Sequence, residues 1–395
     1  MKKSYLKRFI NNLREDIPIQ IVNLMVYLLD FFYKIPPPAK NSEKYILLVR
    51  TDLLGDFIIW LKALIYISQK YKNENYKVIL LGNEIWTSLA QKTKIFDVVL
   101  PVNRKKYFKD FNYRKNILNE LNKYNIEYLF QTALSRDFAV ADSISRNVRA
   151  KNKIAFRRKP EAEYSIWNLL SNNWYSKLIT TNSKEQFEFY RVKEFLGEIS
   201  IPLEKYTTDI SEYFEKKSPS KKYFVVLPGA NAARRCLEPE KFANIISDIK
   251  NKTGWECYLC GSKSETKLGE EIHSHLKFKC NNLIGKTSLI ELGDIFIDSE
   301  LVLGNETGTL HYATALNKNA VCILGGGHFG RFMPYEKSIS ENSVLPTAVY
   351  KKMECFNCHW RCIYTDKKNE IVPCVSQITS DYVLKEINPL LHLLT

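Results

Sequence analysis

Short runs of purely apolar residues alternate with longer stretches whose apolar positions recur every three or four residues, from residue 45 to about residue 324. The run Tyr45-Ile46-Leu47-Leu48-Val49-Arg50 shows no polar alternation, the mark of a strand covered on both faces in a parallel sheet. A tight turn at 51–55 and an apolar helix from 57 to about 68 follow, with further strands predicted at 77–81, 98–100 and 128–131. Residues 204–222, rich in Ser, Lys, Glu and Tyr and containing Pro219, interrupt the pattern. It then restarts, with strands at 223–227, 256–260, 301–303 and 320–324 and helices at about 239–250, 266–276, 288–298 and 310–316. This alternation predicts an α/β protein of two doubly wound units, one over 41–210 and one over 221–395. Two such units in one chain create a cleft for a ligand.

Residues 1–40 read as a separate segment. Lys2, Lys3, Lys7 and Arg8 lead into an apolar stretch, 17–35, closed by Pro36-Pro37-Pro38. Within it Ile21, Leu24, Met25, Leu28, Leu29 and Phe32 keep helical spacing. The strongly apolar part is too short for a membrane span and carries Asp30. An amphipathic helix fits, either resting on an anionic leaflet or packed on the protein's own surface. The stretch starts late and lacks a small-residue cleavage site, so it does not read as a signal peptide. The reducing cytoplasm, at the inner face of its membrane, is the expected location, and disulfides are not expected there.

Apolar residues make up 45% of the 395, enough for two cores. The 58 Lys and Arg outnumber the 43 Asp and Glu, a formal charge of +15. Such a surface attracts anions of several kinds: nucleic acid, acidic lipid, phosphorylated glycan or nucleotide. No basic helix carries base-reading polar residues and no aromatic platform for single strands is evident, so nucleic acid is not the expected partner.

Three strand-to-helix turns carry candidate chemistry. The first is Arg50-Thr51-Asp52-Leu53-Leu54-Gly55-Asp56. Asp56 falls in the first helical turn, where it serves equally as a helix cap or as a base at the ligand end of the sheet. The second, Pro228-Gly229-Ala230-Asn231-Ala232-Ala233-Arg234-Arg235, offers backbone N–H groups and two arginines to a phosphate, or is an ordinary loop with solvated arginines. It is neither a Walker loop nor GxGxxG, which disfavours a P-loop NTPase and a dehydrogenase. The third, Gly304-Asn305-Glu306-Thr307-Gly308-Thr309-Leu310-His311, starts a helix with free N–H groups and two hydroxyls, suited to a diphosphate or to plain capping. His311 itself reads as a packing or capping group rather than a catalyst.

Taken in order, these turns resemble glycosyltransferase family 9, which includes the lipopolysaccharide heptosyltransferases. The resemblance rests on Gly55-Asp56, Pro228-Gly229-Ala230 with Arg234-Arg235, Gly285-Lys286-Thr287-Ser288-Leu289 with Glu291-Leu292, Gly304 to His311, and Gly325-Gly326-Gly327 followed by Arg331 and Pro334-Tyr335. It covers roughly residues 44–340. It implies a GT-B fold, two Rossmann-like doubly wound domains facing a central cleft, with the acceptor on the first and the nucleotide sugar on the second. It also implies inverting transfer of a heptose or related sugar to a glycan hydroxyl, with no cofactor needed for catalysis. Asp56 matches the general base. Arg235, with Arg234 as the alternative, matches the cation that neutralises the departing diphosphate. Gly229, Thr307, Gly308 and Thr309 match the donor cradle, and Glu265 an acidic residue that contacts the ribose. Glu306 departs from the family, which usually has Asp there, so its longer reach bears on donor identity. An ADP-sugar is the favoured donor.

Two basic clusters lie in the first unit: Arg104, Lys105, Lys106, Lys109, Arg114 and Lys115, then Arg146, Arg149, Lys151, Lys153, Arg157, Arg158 and Lys159. Either they draw an acidic or phosphorylated glycolipid acceptor, with Arg157 and Arg158 as candidate contacts, or they form solvated loops. Near the end Cys355, Cys358, Cys362 and Cys374 give C-x2-C-x3-C-x11-C, a candidate structural zinc site that also fits free thiols or two disulfides. Two other functions fit the same pattern: a nucleotide-sugar epimerase of related layout, which needs no acceptor, and a glycan-binding protein without catalysis, which tolerates loss of the Asp56 carboxylate.

Overall fold

The computed structural model describes residues 18–37, 42–157, 165–181, 187–365 and 370–394. The chain forms two compact units that interleave in sequence. The first runs as far as Leu53 and resumes over Ala63–Asn182 and Glu194–Pro202; the second takes Leu54–Lys62, Ser183–Lys193 and Leu203–Thr395.

The first unit holds a six-stranded sheet of β1 (Tyr45–Arg50), β2 (Lys77–Asn83), β3 (Val98–Val102), β4 (Ile126–Gln131), β5 (Ala150–Phe156) and β6 (Lys177–Ile179), in the order β3-β2-β1-β4-β5-β6. Every pairing is parallel. All six residues of β1 are buried, as a central parallel strand requires. β5 hides inside the second basic cluster: Ile154, Ala155 and Phe156 pack inward. Lys153 reaches the carbonyl of Ser145 at 2.6 Å, and burial lowers its ammonium to about 8.

The helix over 18–31 belongs to this unit. Val26, Asn23 and Asp30 face inward, while Ile21, Leu24, Met25, Leu28, Phe31 and Phe32 are exposed. Asp30 forms a buried ion pair with Arg114 and also accepts from Ser143 Oγ at 3.1 Å. Arg114, expected on a basic surface, is therefore an internal anchor. Tyr27 meets Trp167 at 6.2 Å between ring centroids, joining the helix to Ser165–Asn172. No described helix is long and apolar enough to cross a membrane. Lys2, Lys3, Lys7, Arg8, Arg158 and Lys159 lie outside the described residues.

The second unit repeats the topology with β7 (Tyr223–Leu227), β8 (Glu256–Leu259), β9 (Asn281–Asn282), β10 (Leu301–Asn305), β11 (Ala320–Ile323) and β12 (Thr347–Val349), ordered β12-β11-β10-β7-β8-β9 and parallel throughout. Its core joins Phe224, Val226, Leu259, Leu303 and Ile323 of the sheet to Phe242, Ile246 and Ile249 of helix Pro239–Thr253. In both sheets the strand order reverses beside the first strand, between β1 and β4 and between β7 and β10. Parallel sheets present ligand sites at the carboxyl ends of strands flanking such a reversal.

Candidate donor site

The loops leaving β7, β8 and β10 converge in the second unit. Asn305, fully buried at the end of β10, ties two of them together. Its side-chain amide donates to the Pro228 carbonyl at 2.6 Å, and its side-chain oxygen accepts from the Leu237 backbone N–H at 3.0 Å. Sequence reading passed over Asn305, because a buried asparagine beside a polar turn shows its role only once its partners are placed. Glu265 closes the third loop: it completes a capping box with Ser262, and its carboxyl occupies the space that side chains at Gly229 and Gly261 would need. With glycine at both positions the carboxyl lies directly against the two backbones.

Beyond β10, Thr307 caps the helix Gly308–Ala315, accepting from the Leu310 N–H at 3.3 Å and lying 2.7 Å from the Thr309 hydroxyl. The capping role is thus real: the Leu310 N–H is spent on Thr307, and the N–H groups of Gly308 and Thr309 precede any intrahelical carbonyl. A second helix starts at the same place. The helix Leu54–Asn73 begins three residues before the predicted start, with extended Leu53 at its N-cap, so Gly55 and Asp56 lie in its first turn. A Cβ on Gly55 would sit 3.1 Å from Gly308 Cα, and one on Gly308 only 2.6 Å from the Gly55 nitrogen. The two helix starts therefore abut backbone to backbone, and their dipoles add a positive potential at one point. Residues 54–62 belong to the second unit, so Asp56 sits on the same body as Glu306 and the arginines, although it follows a first-unit strand in sequence.

That placement is braced by Glu188. Its buried carboxylate accepts from Trp60 Nε1 at 3.1 Å, on the helix of Asp56, and pairs with Arg191 at 2.8 Å and Arg331 at 3.4 Å. Glu188 too went unread in the sequence, since nothing local marks it. His311 is buried, lies 3.2 Å from the Tyr335 hydroxyl, and is pushed down to about 4 by burial. It is a neutral packing group, as expected.

Arg234 and Arg235 sit on a short 3-10 turn, Ala233–Arg235. Nε and Nη2 of Arg234 and Nε of Arg235 are buried without a hydrogen-bond partner among the described residues. Buried guanidinium N–H groups are costly to leave unpaired, and these three remain available to an anion. Burial lowers the Arg235 guanidinium, an effect that the Glu306 carboxylate opposes. Burial in turn raises Glu306 to about 7, against the pull of Arg235. Arg157 lies in the first unit, exposed just beyond β5.

Residues 144–360 match the family model of glycosyltransferase family 9 (heptosyltransferase). The chain belongs to that family. This family 9 glycosyltransferase is 22% identical over 348 residues to lipooligosaccharide heptosyltransferase 2 of Campylobacter jejuni subsp. jejuni serotype O:6, covering 83% of this chain and 96% of that one. It is 34% identical over 102 residues to lipooligosaccharide heptosyltransferase 2 of Haemophilus influenzae, covering 25% of this chain and 30% of that protein. Among solved structures, E. coli heptosyltransferase WaaC with ADP-2-deoxy-2-fluoro heptose superposes with a TM-score of 0.65 at 15% identity, covering 88% of this chain and 99% of that one. The family 9 glycosyl transferase of Veillonella parvula gives 0.69 at 13% identity, covering 90% and 99%. These likenesses show the fold, an α/β GT-B architecture built on two Rossmann-like sheets.

The glycosyltransferase carries all nine cysteines as free thiols. Cys355, Cys358, Cys362 and Cys374 line one small pocket with Trp360, Met353 and Tyr364. Among the described residues no group of three or more His, Cys, Asp or Glu is gathered tightly enough to hold a metal ion.

Glu306 makes stability depend on pH. Its folded pKa lies above the ordinary 4.5, so between 4.5 and about 7 the folded state holds a proton that the unfolded state releases. Stability therefore falls as pH rises through that window and levels off above it. Glu306→Gln removes the term, and its melting temperature should exceed that of the wild type by more at pH 8 than at pH 5. The difference should be about 1–2 kcal/mol, discounted for partial exposure; an unchanged gap across the two pH values would refute the assignment.

Proposed function

We propose that this glycosyltransferase transfers a heptose from an ADP-activated donor to a hydroxyl of a lipopolysaccharide-type glycan, with inversion. The abutting helix starts at Gly55 and Gly308 carry the reading, because they join a carboxylate turn to a diphosphate-type cradle. The named relatives act in lipooligosaccharide synthesis, and the WaaC structure holds an ADP-heptose analogue.

In this reading the donor diphosphate lies on the Thr307–Thr309 turn and Gly229, with Arg234 and Arg235 supplying the buried donors that lack protein partners. Glu265 takes the ribose. The acceptor oxygen attacks the anomeric carbon as the bond from that carbon to the β-phosphate oxygen breaks. The electron pair leaves with the diphosphate, where the arginines meet the growing charge. Asp56 accepts the proton of the acceptor hydroxyl. Glu306, whose carboxyl burial raises to about 7, repels the diphosphate less than an ordinary carboxylate would and touches the sugar. Arg157 and Arg158 contact the acidic groups of the acceptor.

One kinetic series tests these roles, with ADP-heptose and a deacylated lipooligosaccharide core. Asp56→Asn should lower kcat by about 10²–10⁴-fold. Charge reversal of Arg157 and Arg158 should raise the acceptor KM and leave the donor KM unchanged. Consumption of the donor without acceptor, or full activity in Asp56→Asn, would overturn the assignment. Thermal shift should rank ADP above UDP, GDP and CMP.

Cys355, Cys358, Cys362 and Cys374 line one pocket without forming a metal cluster as they stand, and we assign them a structural zinc whose binding draws the four thiolates together. That ion would tie the 355–374 loop and take no part in catalysis. Elemental analysis should find one zinc per chain, lost in Cys374→Ser; metal-free wild-type protein of full stability would refute it.

The exposed face of helix 18–31, with Phe31 and Phe32 at 77% and 74% exposure, continues in Ile166 and Leu169 of the neighbouring helix. Exposed Lys34, Arg149 and Arg157 lie on the same unit. An apolar face with basic neighbours suits an anionic membrane surface, and the nine free thiols suit the reducing side of that membrane. Vesicles containing phosphatidylglycerol should sediment the protein, and Phe31→Ser with Phe32→Ser should abolish this. Equal sedimentation by neutral vesicles, or by the double variant, would count against the lipid surface.

A further inference from the structure

Trp360 lies between two cysteines of the 355–374 loop, and its ring carries the Arg235 guanidinium at 4.0 Å from the ring centroid. No part of the reading above uses this contact.

The loop is built to hold that ring in place. The Asn357 N–H donates to the Gly326 carbonyl at 2.7 Å and the His359 N–H to the Gly327 carbonyl at 2.9 Å, fastening the loop to the glycine turn after β11. The ring lies over Gly325 and Gly327: a Cβ at Gly325 would come within 2.6 Å of it, and one at Gly327 would overlap it. The three-glycine run is thus a bed for an aromatic side chain, with Phe356 filling the place over Gly326. Asn357, His359 and Trp360 all take left-handed backbone angles, φ +67°, +51° and +63°. Such a concentration of unfavourable conformations persists only where the surroundings enforce it, and it collects at functional sites. From the other side, the Val372 N–H donates to the Arg234 carbonyl at 2.9 Å, so the same loop grips the arginine turn by its backbone.

We propose that Trp360 is a positioning residue for Arg235: its ring face fixes the guanidinium plane so that the unpartnered Nε edge points at the donor diphosphate. An arginine whose buried Nε–H has no protein partner gains orientation from the ring beneath it. The indole face attracts the cation without consuming any of its hydrogen-bond donors, which leaves them for the anion. This inference rests on the reading of Arg235 as the diphosphate clamp.

Binding of inorganic pyrophosphate, measured by calorimetry, tests it apart from sugar transfer. Trp360→Leu should weaken binding about tenfold, the size of a partly desolvated cation–π contact. The same substitution in an Arg235→Ala background should change nothing further. Trp360→Phe keeps a smaller ring and should lose about two- to threefold, again only while Arg235 is present; it decides the matter if the leucine variant does not fold. With ADP-heptose as donor, Trp360→Leu should lower kcat more than it raises the donor KM, since charge on the diphosphate peaks as the bond breaks. A loss on Arg235→Ala with none on either Trp360 variant overturns the inference and leaves the role of Arg235 standing. Equal losses with and without Arg235 mean a merely structural ring and also overturn it. No loss on Arg235→Ala overturns both.

Discussion

At Gly55 and Gly308 two backbones approach so closely that a methyl group at Gly308 would overlap the Gly55 nitrogen and one at Gly55 would crowd the Gly308 Cα. Everything chemical in the second unit is arranged around that approach. It brings the positive ends of two helices to one point, which neither helix provides alone. It also moves the turn of Asp56 onto the body that holds the loops after β7, β8 and β10, although the strand leading into that turn belongs to the other sheet.

The remaining polar groups are subordinate to this contact. Asn305 spends its amide on Pro228 and Leu237, so the loops after β7 and β10 move as one. Glu188 holds Trp60, and through it the helix of Asp56, while balancing Arg191 and Arg331. These buried groups are satisfied within the protein. Arg234 and Arg235 keep buried N–H groups that no described side chain or carbonyl meets, as Arg114 also does in the first unit.

The basic excess in the sequence divides into several uses. Arg114 is spent on Asp30, Lys153 on the carbonyl of Ser145, and Arg104 on Asp137 at 2.7 Å. Arg146 lies over the rings of Tyr27 and Trp174 at 4.7 and 5.0 Å. Much of what reads as an anion-attracting surface is therefore the fastening of helix 18–31 and of β5, and the charge left to face solvent is smaller than the count suggests.

The central sheet strands and the three turns were legible, the short edge strands β6, β9 and β12 were not, because legibility rests on local rules: unbroken apolar runs for covered strands, and Gly, Thr and Asp where a strand gives way to a helix. The order of these turns along the chain sufficed to indicate the family. β5 was not legible, since lysine stems can flank a strand edge and the run KNKIAF reads as charge. Asn305, Glu188 and Trp360 were not legible either, because each acts through partners more than 60 residues away in sequence. Sequence alone determined which elements form and which residue types stand at their ends. Which turns meet was decided only by packing: the space left by two glycines, the reversal of strand order, and the burial of polar groups that had to find partners across the fold.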